Sequence, residues 1–286
     1  MGQSKIIDIL KEQLQEDGLF DTLIPGIQLF RFSEPKQCAP VVYVPTVIAI
    51  VSGTKKAILD GQSSVYDNQQ YMCCTMTMPV EAGISSATRK HPLLGVSISI
   101  DSRMMTEMAL ELNHTTTLTK GINSSGLTLS IWDSLFTDAL LRLVQIANKT
   151  EEASLLGMSR LREVYFAILK GEAGSAVRQV FGTDNGIHQA IRYLSAHYHE
   201  PISINDITSR IGMSRSVFHR KFKETTKMSP IQFVKAMRLN NAAMLIAKGQ
   251  TVNEASASVG YTSSSQFSRE FKRVFGKSPK QWSLHQ

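Results

Sequence analysis

Apolar positions change their period twice along the chain. Ile6, Ile7, Leu10 and Leu14 recur at helical spacing, which predicts an amphipathic helix over the first twenty residues. From about Leu23 to Ile100 the apolar residues come in short runs: Val41 to Val44, Val47 to Val51, Lys55 to Leu59, Gln70 to Met78 and Gly95 to Ile100. Ser52-Gly53, Asp60-Gly61, Asp67-Asn68 and Pro79 separate them with turn chemistry. Such spacing predicts a small antiparallel β-barrel or double-sheet roll of cupin-like type. Helical periodicity returns at Ser102 to Leu112, behind Asp101 as a candidate cap, and again at Ile131 to Ala147 and Leu155 to Leu169.

Gly171, Gly174 and Gly182 then mark a joint near residues 182–186. Beyond it everything reads as helix: Ile187 to Tyr198, Ile204 to Ile211, Arg215 to Thr225, Pro230 to Ala247, Val252 to Val259, Ser264 to Val274 and Pro279 to Trp282. The expected fold class is α+β with two domains. Residues 1–183 hold the β-roll (about 23–100) and its helices (about 101–170), and residues 184–286 form an all-α domain. A chain of 286 residues has room for two cores of ordinary size.

The helical third repeats itself at a shift of 49 residues. Ser214, Ser216, Phe218, Arg220, Phe222, Lys223, Ser229 and Pro230 fall on Ser263, Ser265, Phe267, Arg269, Phe271, Lys272, Ser278 and Pro279, and Phe233 falls on Trp282. Each copy has an apolar helix, a tight turn at Gly212 or Gly260, and a second helix with a serine N-cap. Phe218 with Phe222, and Phe267 with Phe271, sit one turn apart and share the buried face. The opposite face carries Ser216, His219, Arg220 and Lys223 in the first copy and Ser265, Gln266, Ser268, Arg269 and Lys272 in the second. That is the layout of a recognition helix, so two helix-turn-helix units are expected at about 204–223 and 252–272. Between them Pro230 to Ala247 spans eighteen residues, roughly 27 Å of helix. A rod of that length can hold two recognition helices about 34 Å apart, one turn of B-DNA.

Charge agrees with this reading. Residues 1–183 hold 16 Lys plus Arg against 18 Asp plus Glu, and residues 184–286 hold 15 against 6, so the net charge of +7 lies wholly in the last third. A domain this basic suits a polyanion. Charge alone would also fit RNA, an anionic membrane face or bulk nucleic acid without sequence preference, and the groove-reading layout favours double-stranded DNA. No run approaches the roughly 18 apolar residues of a membrane span, and Met1 to Leu10 lacks a signal-peptide pattern, so a cytoplasmic protein is expected.

Cys38, Cys73 and Cys74 cannot build a disulfide framework and are expected as free thiols, with Cys73 and Cys74 on opposite faces of a strand. The competing class, a barrel enzyme with a basic appendage, needs converging histidines or carboxylates, and the front region holds only His91 and His114 as histidines. His197-Tyr198-His199-Glu200 before Pro201 suits a helix C-terminus better than a metal site. No phosphate-binding glycine loop, Gly-x-Ser-x-Gly elbow or catalytic Cys/His pair occurs, so neither catalysis nor a metal or cofactor is expected.

The helical third resembles the AraC (arabinose regulator) type of transcription regulator. The resemblance rests on Gly260 to Lys272 and Phe275 to Pro279 in the second copy. In the first copy and linker it rests on Gly212-Met213-Ser214, Phe218 to Lys223, Met228-Ser229-Pro230, Arg238-Leu239, Ala242 and Leu245-Ile246. Ala255 and Ser256 depart from it, standing where the family has a larger aliphatic residue and an alanine. In front, Tyr43, Gly53, Asp60-Gly61, Pro79 and His91-Pro92 are similar to the N-terminal sensing domain of one AraC-type subgroup.

The resemblance implies base reading by Ser216, His219 and Arg220 and by Ser264, Ser265, Gln266, Ser268 and Arg269. Arginine can fork onto guanine and glutamine onto adenine. Arg215, Lys221, Lys223, Lys272 and Arg273 suit phosphates. It also implies a homodimer, contact with RNA polymerase, and a small-molecule effector in front. Candidate pocket residues are Tyr43, Tyr66, Tyr71, Cys73, Met76 and Met78.

Overall fold

The computed structural model describes residues 2–59, 61–115, 126–182 and 186–283, the side chains of 113–115 excepted. Asp60, the His114 side chain and the heart of the expected joint at 183–185 lie outside the described residues.

Two antiparallel sheets form the front half. The six-stranded sheet runs β1 (Gly18–Asp21), β2 (Ile27–Phe32), β9 (Leu93–Ser99), β4 (Thr46–Ser52), β7 (Gln70–Cys74), β10 (Leu127–Ile131). The four-stranded sheet runs β3 (Lys36–Tyr43), β8 (Met78–Ser86), β5 (Thr54–Leu59), β6 (Gln62–Tyr66). The chain passes from one sheet to the other at Gly53, whose φ of +79° and close approach to Leu93 Cα and Ser86 O leave no room for a Cβ.

Strand alternation sorts the larger sheet into two faces. Ile27, Leu29, Val47, Ala49, Cys73, Val96 and Ile98 face helices, namely α1 (Gly2–Gln13), α3 (Ser134–Ile146) and α4 (Thr150–Lys170). Phe30, Ile48, Ile50, Met72, Cys74 and Leu93 face the smaller sheet, against Tyr43, Ala57, Met78, Val80 and Ile84. Covered on both sides, β4 and β7 are buried at nearly every position. Each fully buried aliphatic side chain there contributes roughly 1.5–3 kcal/mol. Among the flanking helices, α2 (Ser102–Thr115) starts as its cap predicts, Asp101 Oδ1 accepting from the N–H groups of Arg103 (2.9 Å) and Met104 (3.0 Å).

The structure corrects four boundaries. Helix α1 ends at Gln13, and Gly18–Asp21 is an edge strand paired with β2. Ile131 closes strand β10 rather than opening a helix. Helix α4 begins at Thr150, not Leu155. The glycine-marked joint contains a helix, α5 (Gly174–Phe181), which packs on α2 and α4.

Seven helices follow among the described residues: α6 (Gly186–Ala196), α7 (Ile204–Arg210), α8 (Arg215–Thr226), α9 (Pro230–Ala247), α10 (Val252–Ser258), α11 (Ser264–Phe275) and α12 (Pro279–Ser283). Ser203, Ser214 and Ser263 cap α7, α8 and α11 through their side chains. Ser229 with Gln232 and Thr251 with Glu254 close full capping boxes on α9 and α10.

Candidate nucleic-acid interface and effector pocket

In each unit the phenylalanine pair fixes which way the recognition helix turns. Phe218 and Phe222 meet edge to face at 5.4 Å, and Phe222 meets Phe233 of α9 at 5.5 Å. The second unit repeats this with Phe267 and Phe271 at 5.4 Å and Phe271 against Trp282 at 5.9 Å. All of these phenylalanines are buried. With those rings inside, the opposite faces of α8 and α11 point outward. Arg215, Ser216, Arg220, Lys221 and Lys223 are exposed and His219 half-buried on α8. Ser264, Ser265, Gln266, Arg269, Lys272 and Arg273 are exposed and Ser268 half-buried on α11.

The outward groups are lightly held. Arg220 Nη1 sits 3.2 Å from Glu224 Oε1 one turn along, an exposed pair worth a few tenths of a kcal/mol. Gln266 Nε2 donates to Glu270 Oε1 at 3.2 Å. Arg215 Nε donates to Asn205 Oδ1 at 2.5 Å. Ser216 and Ser265 each share a hydroxyl contact with the capping serine two residues before, at 3.3 and 3.0 Å. Among the described residues no carboxylate lies within ion-pairing distance of Arg269, Lys221, Lys223 or Lys272.

The connector α9 pins the two units together. Arg238 Nε donates to Tyr198 O at 2.6 Å and Nη2 to Glu200 O at 2.8 Å, both just beyond α6. Its Nη1 donates to Gly260 O, in the turn before α11, at 3.3 Å. Gly260 has φ +85°, and a Cβ there would drive into His199 O. Lys235 Nζ reaches Glu270 Oε1 of α11 at 3.1 Å, and Tyr261 Oη donates to Glu270 Oε2 at 2.8 Å. Burial pushes the Glu270 carboxyl up, but hydrogen bonds from Tyr261, Gln266 and Lys235 outweigh it and hold the group below the usual carboxylate range. The bridging by Arg238 and Lys235 escapes sequence reading, because nothing local tells a cation that crosses between units from one on a solvated face.

The front half holds a cavity of about 370 Å³ between the sheets, walled by β2, β4 and β9 of the larger sheet and β3, β5 and β8 of the smaller. Phe30, Phe32, Tyr43, Ile48, Ile84 and Leu93 line it, with Lys36, Gln37, Lys55 and Ser97 as its polar members. Of the expected pocket residues, Tyr43 lines this cavity. Tyr66, Met76 and Met78 belong to the same inter-sheet core outside its lining. Tyr71 and Cys73 do not join them. They lie on the helix-facing side of β7, where Tyr71 stacks on Phe136 at 4.1 Å.

Burial raises both adjacent thiols, Cys74 to about 12 and Cys73 further, so neither is an accessible thiolate. Lys55 is the pocket residue that sequence reading missed. Its signal is a cation in phase with Ala57 and Leu59 on one strand.

A family model of the AraC-type transcriptional regulator N-terminus matches residues 23–176, and a helix-turn-helix domain model matches residues 207–284. The chain is 26% identical over 144 residues to the Msm operon regulatory protein of Streptococcus mutans, covering 49% of this chain and 52% of that protein. It is 27% identical over 100 residues to an HTH-type transcriptional regulator of Staphylococcus aureus strain COL, covering 35% of this chain and 13% of that protein. The chain thus matches about half the length of the first relative and a small part of the second. Among solved structures it is similar to ToxT from Vibrio cholerae, with TM-score 0.60 and 15% identity over 90% of this chain and 97% of that one. It is also similar to ToxT bound to (E)-4-(8-methylnaphthalen-1-yl)but-3-enoic acid, with TM-score 0.62, 15% identity and the same coverage. At such identity the likeness is one of fold.

Proposed function

The chain belongs to the AraC-type transcriptional regulators, and on that footing we propose that it reads duplex DNA through two successive major grooves under the control of a small organic effector. The observation that carries this is the pair of equivalent outward faces on α8 and α11, joined by an eighteen-residue helix that Arg238 and the Lys235–Glu270 pair fasten to both units. Ser216, His219 and Arg220, with Ser264, Ser265, Gln266, Ser268 and Arg269, read base edges. Arg215, Lys221, Lys223, Lys272 and Arg273 hold phosphates. In this reading residues 184–286 form the DNA-binding domain and residues 1–183 the cupin-like sensing domain.

The effector enters the cavity between the sheets. That ToxT, a protein of the same fold, has been crystallised with small organic ligands supports the reading. The protein acts as a cytoplasmic homodimer that touches RNA polymerase, and it is not an enzyme. A face of α4 supports the dimer: Leu155 is 80% exposed, with Leu156, Met158 and Phe166 also exposed on the same helix. Phe166 borders a groove of about 560 Å³ between α2, α3 and α4. No helix among the described residues is long and apolar enough to cross a membrane.

The test is footprinting on the chain's own upstream region followed by binding titrations of two variants. Arg269→Ala is expected to cost about 1–3 kcal/mol on the cognate site and relax one base position. Lys272→Ala is expected to weaken cognate and random duplex evenly and to flatten the salt dependence by about one phosphate contact. Equal losses from both variants on both DNAs would show that binding does not read sequence.

A further inference from the structure

Lys55 stands in surroundings that a structural lysine avoids. It lies in the middle of the smaller sheet, and its Nζ rests 5.7 Å from the Phe30 ring centroid and 5.6 Å from that of Tyr43. Among the described residues no carboxylate comes within ion-pairing distance of it, and its in-phase neighbour Ala57 is buried. Lys36, over the Phe32 ring at 4.5 Å, adds a second cation where the same cavity opens. An ammonium kept among aromatic rings without a counter-ion costs stability unless something else completes it. Burial already lowers Lys55 to about 8, so a negative charge beside it would be strongly rewarded.

Taking the cavity as the effector site, we propose that its ligand is a monocarboxylic acid with an apolar body, its carboxylate on Lys55 and its body between Phe30, Phe32, Ile48 and Leu93. The apolar lining demands the body, and the uncompensated ammonium demands the anion. Lys36 is exposed to solvent, so Lys55, between the Phe30 and Tyr43 rings, is the cation left to be completed, and one ammonium there matches one negative charge rather than the nearly two of a phosphate monoester. A cavity of about 370 Å³ lies at the small end of organic-ligand sites, which suits a medium-length chain or a fused-ring acid.

The test uses the full chain with decanoate, its methyl ester and decyl phosphate as probes, and reads both calorimetric binding and the thermal midpoint. Decanoate is expected to bind at least tenfold more tightly than either analogue. Lys55→Met should abolish that preference while leaving the ligand-free midpoint unchanged or higher. Lys55→Arg should keep the preference, and Lys56→Met, one residue along on the outer face, should bind as the parent does. An ester that binds as well as the acid, or an acid preference that survives Lys55→Met, overturns the assignment while leaving the effector cavity standing. Failure of all three probes to bind overturns the assignment and the cavity reading together.

Discussion

Lys227 holds the one left-handed non-glycine backbone found among the described residues, at φ 64°. It caps α8, and the repeat places Gly276, at φ 71°, in the same role after α11. The left-handed region costs an L-residue about 1 kcal/mol or more, and glycine escapes most of it. Lys227→Gly should therefore raise stability by about 0.5–1 kcal/mol, read as a shift in urea midpoint with unchanged slope. A loss instead would mean that the Lys227 Nζ contact to Glu224 O (3.1 Å) outweighs the backbone term.

At this scale the repeat itself was legible, because paired phenylalanines one turn apart can satisfy only one face of a helix. The pocket was not. Beyond Gln70, Tyr71, Met72, Cys73 and Cys74 are all buried, so β7 has no polar and apolar alternation that would tell its two faces apart, and Tyr71 and Cys73 lie on the helix-facing one.

Helix α9 decides how the two readers sit relative to each other. Its mixed surface has a physical reason, since Phe233, Val234 and Met237 join the core of the first unit while Leu239, Ala242, Ala243 and Ile246 join that of the second. One helix serving two cores has no single apolar stripe, so the sequence shows its length and caps but not its two allegiances. Arg238 sits where those allegiances change and ties both units by backbone carbonyls.

Arg238→Met keeps the stem and removes the donors. It should lower affinity for a complete two-groove site by about tenfold or more, while a site with one half scrambled loses little. The ratio of the two affinities, measured by anisotropy, is the readout. Equal losses on both sites would mean that Arg238 supports folding alone. Among the elements that sequence reading missed, β1, β10 and α5 are short, and each takes its form from a neighbour: β1 from β2, β10 from β7, α5 from α2 and α4.

The two halves of the molecule are not packed as separate bodies. Helix α9 lies on β3 and β8, two of the strands that wall the cavity, and Gly126 N donates to Thr225 O of α8 at 3.2 Å. The inter-sheet core runs on into Ile187, Leu194, Phe218 and Phe222, whereas the second unit keeps a core of its own. The cavity walls are thus joined by packed side chains to the helix that holds α8 and α11. His188 is buried in α6, 4% exposed, and neither ring nitrogen has a hydrogen-bond partner among the described residues.

Burial first, and then the charge of Arg192, lower His188 to about 4. The unfolded chain takes up that proton near pH 6.5 and the folded chain does not, so stability is full above that pH and falls as the medium is acidified towards 4. Between pH 7 and pH 5 the loss should be about 2 kcal/mol at this residue. His188→Leu should remove that part of the pH slope, whatever it does to stability at pH 7. Urea midpoints at both pH values for both proteins check it, and an unchanged slope in the variant would assign the acid sensitivity elsewhere.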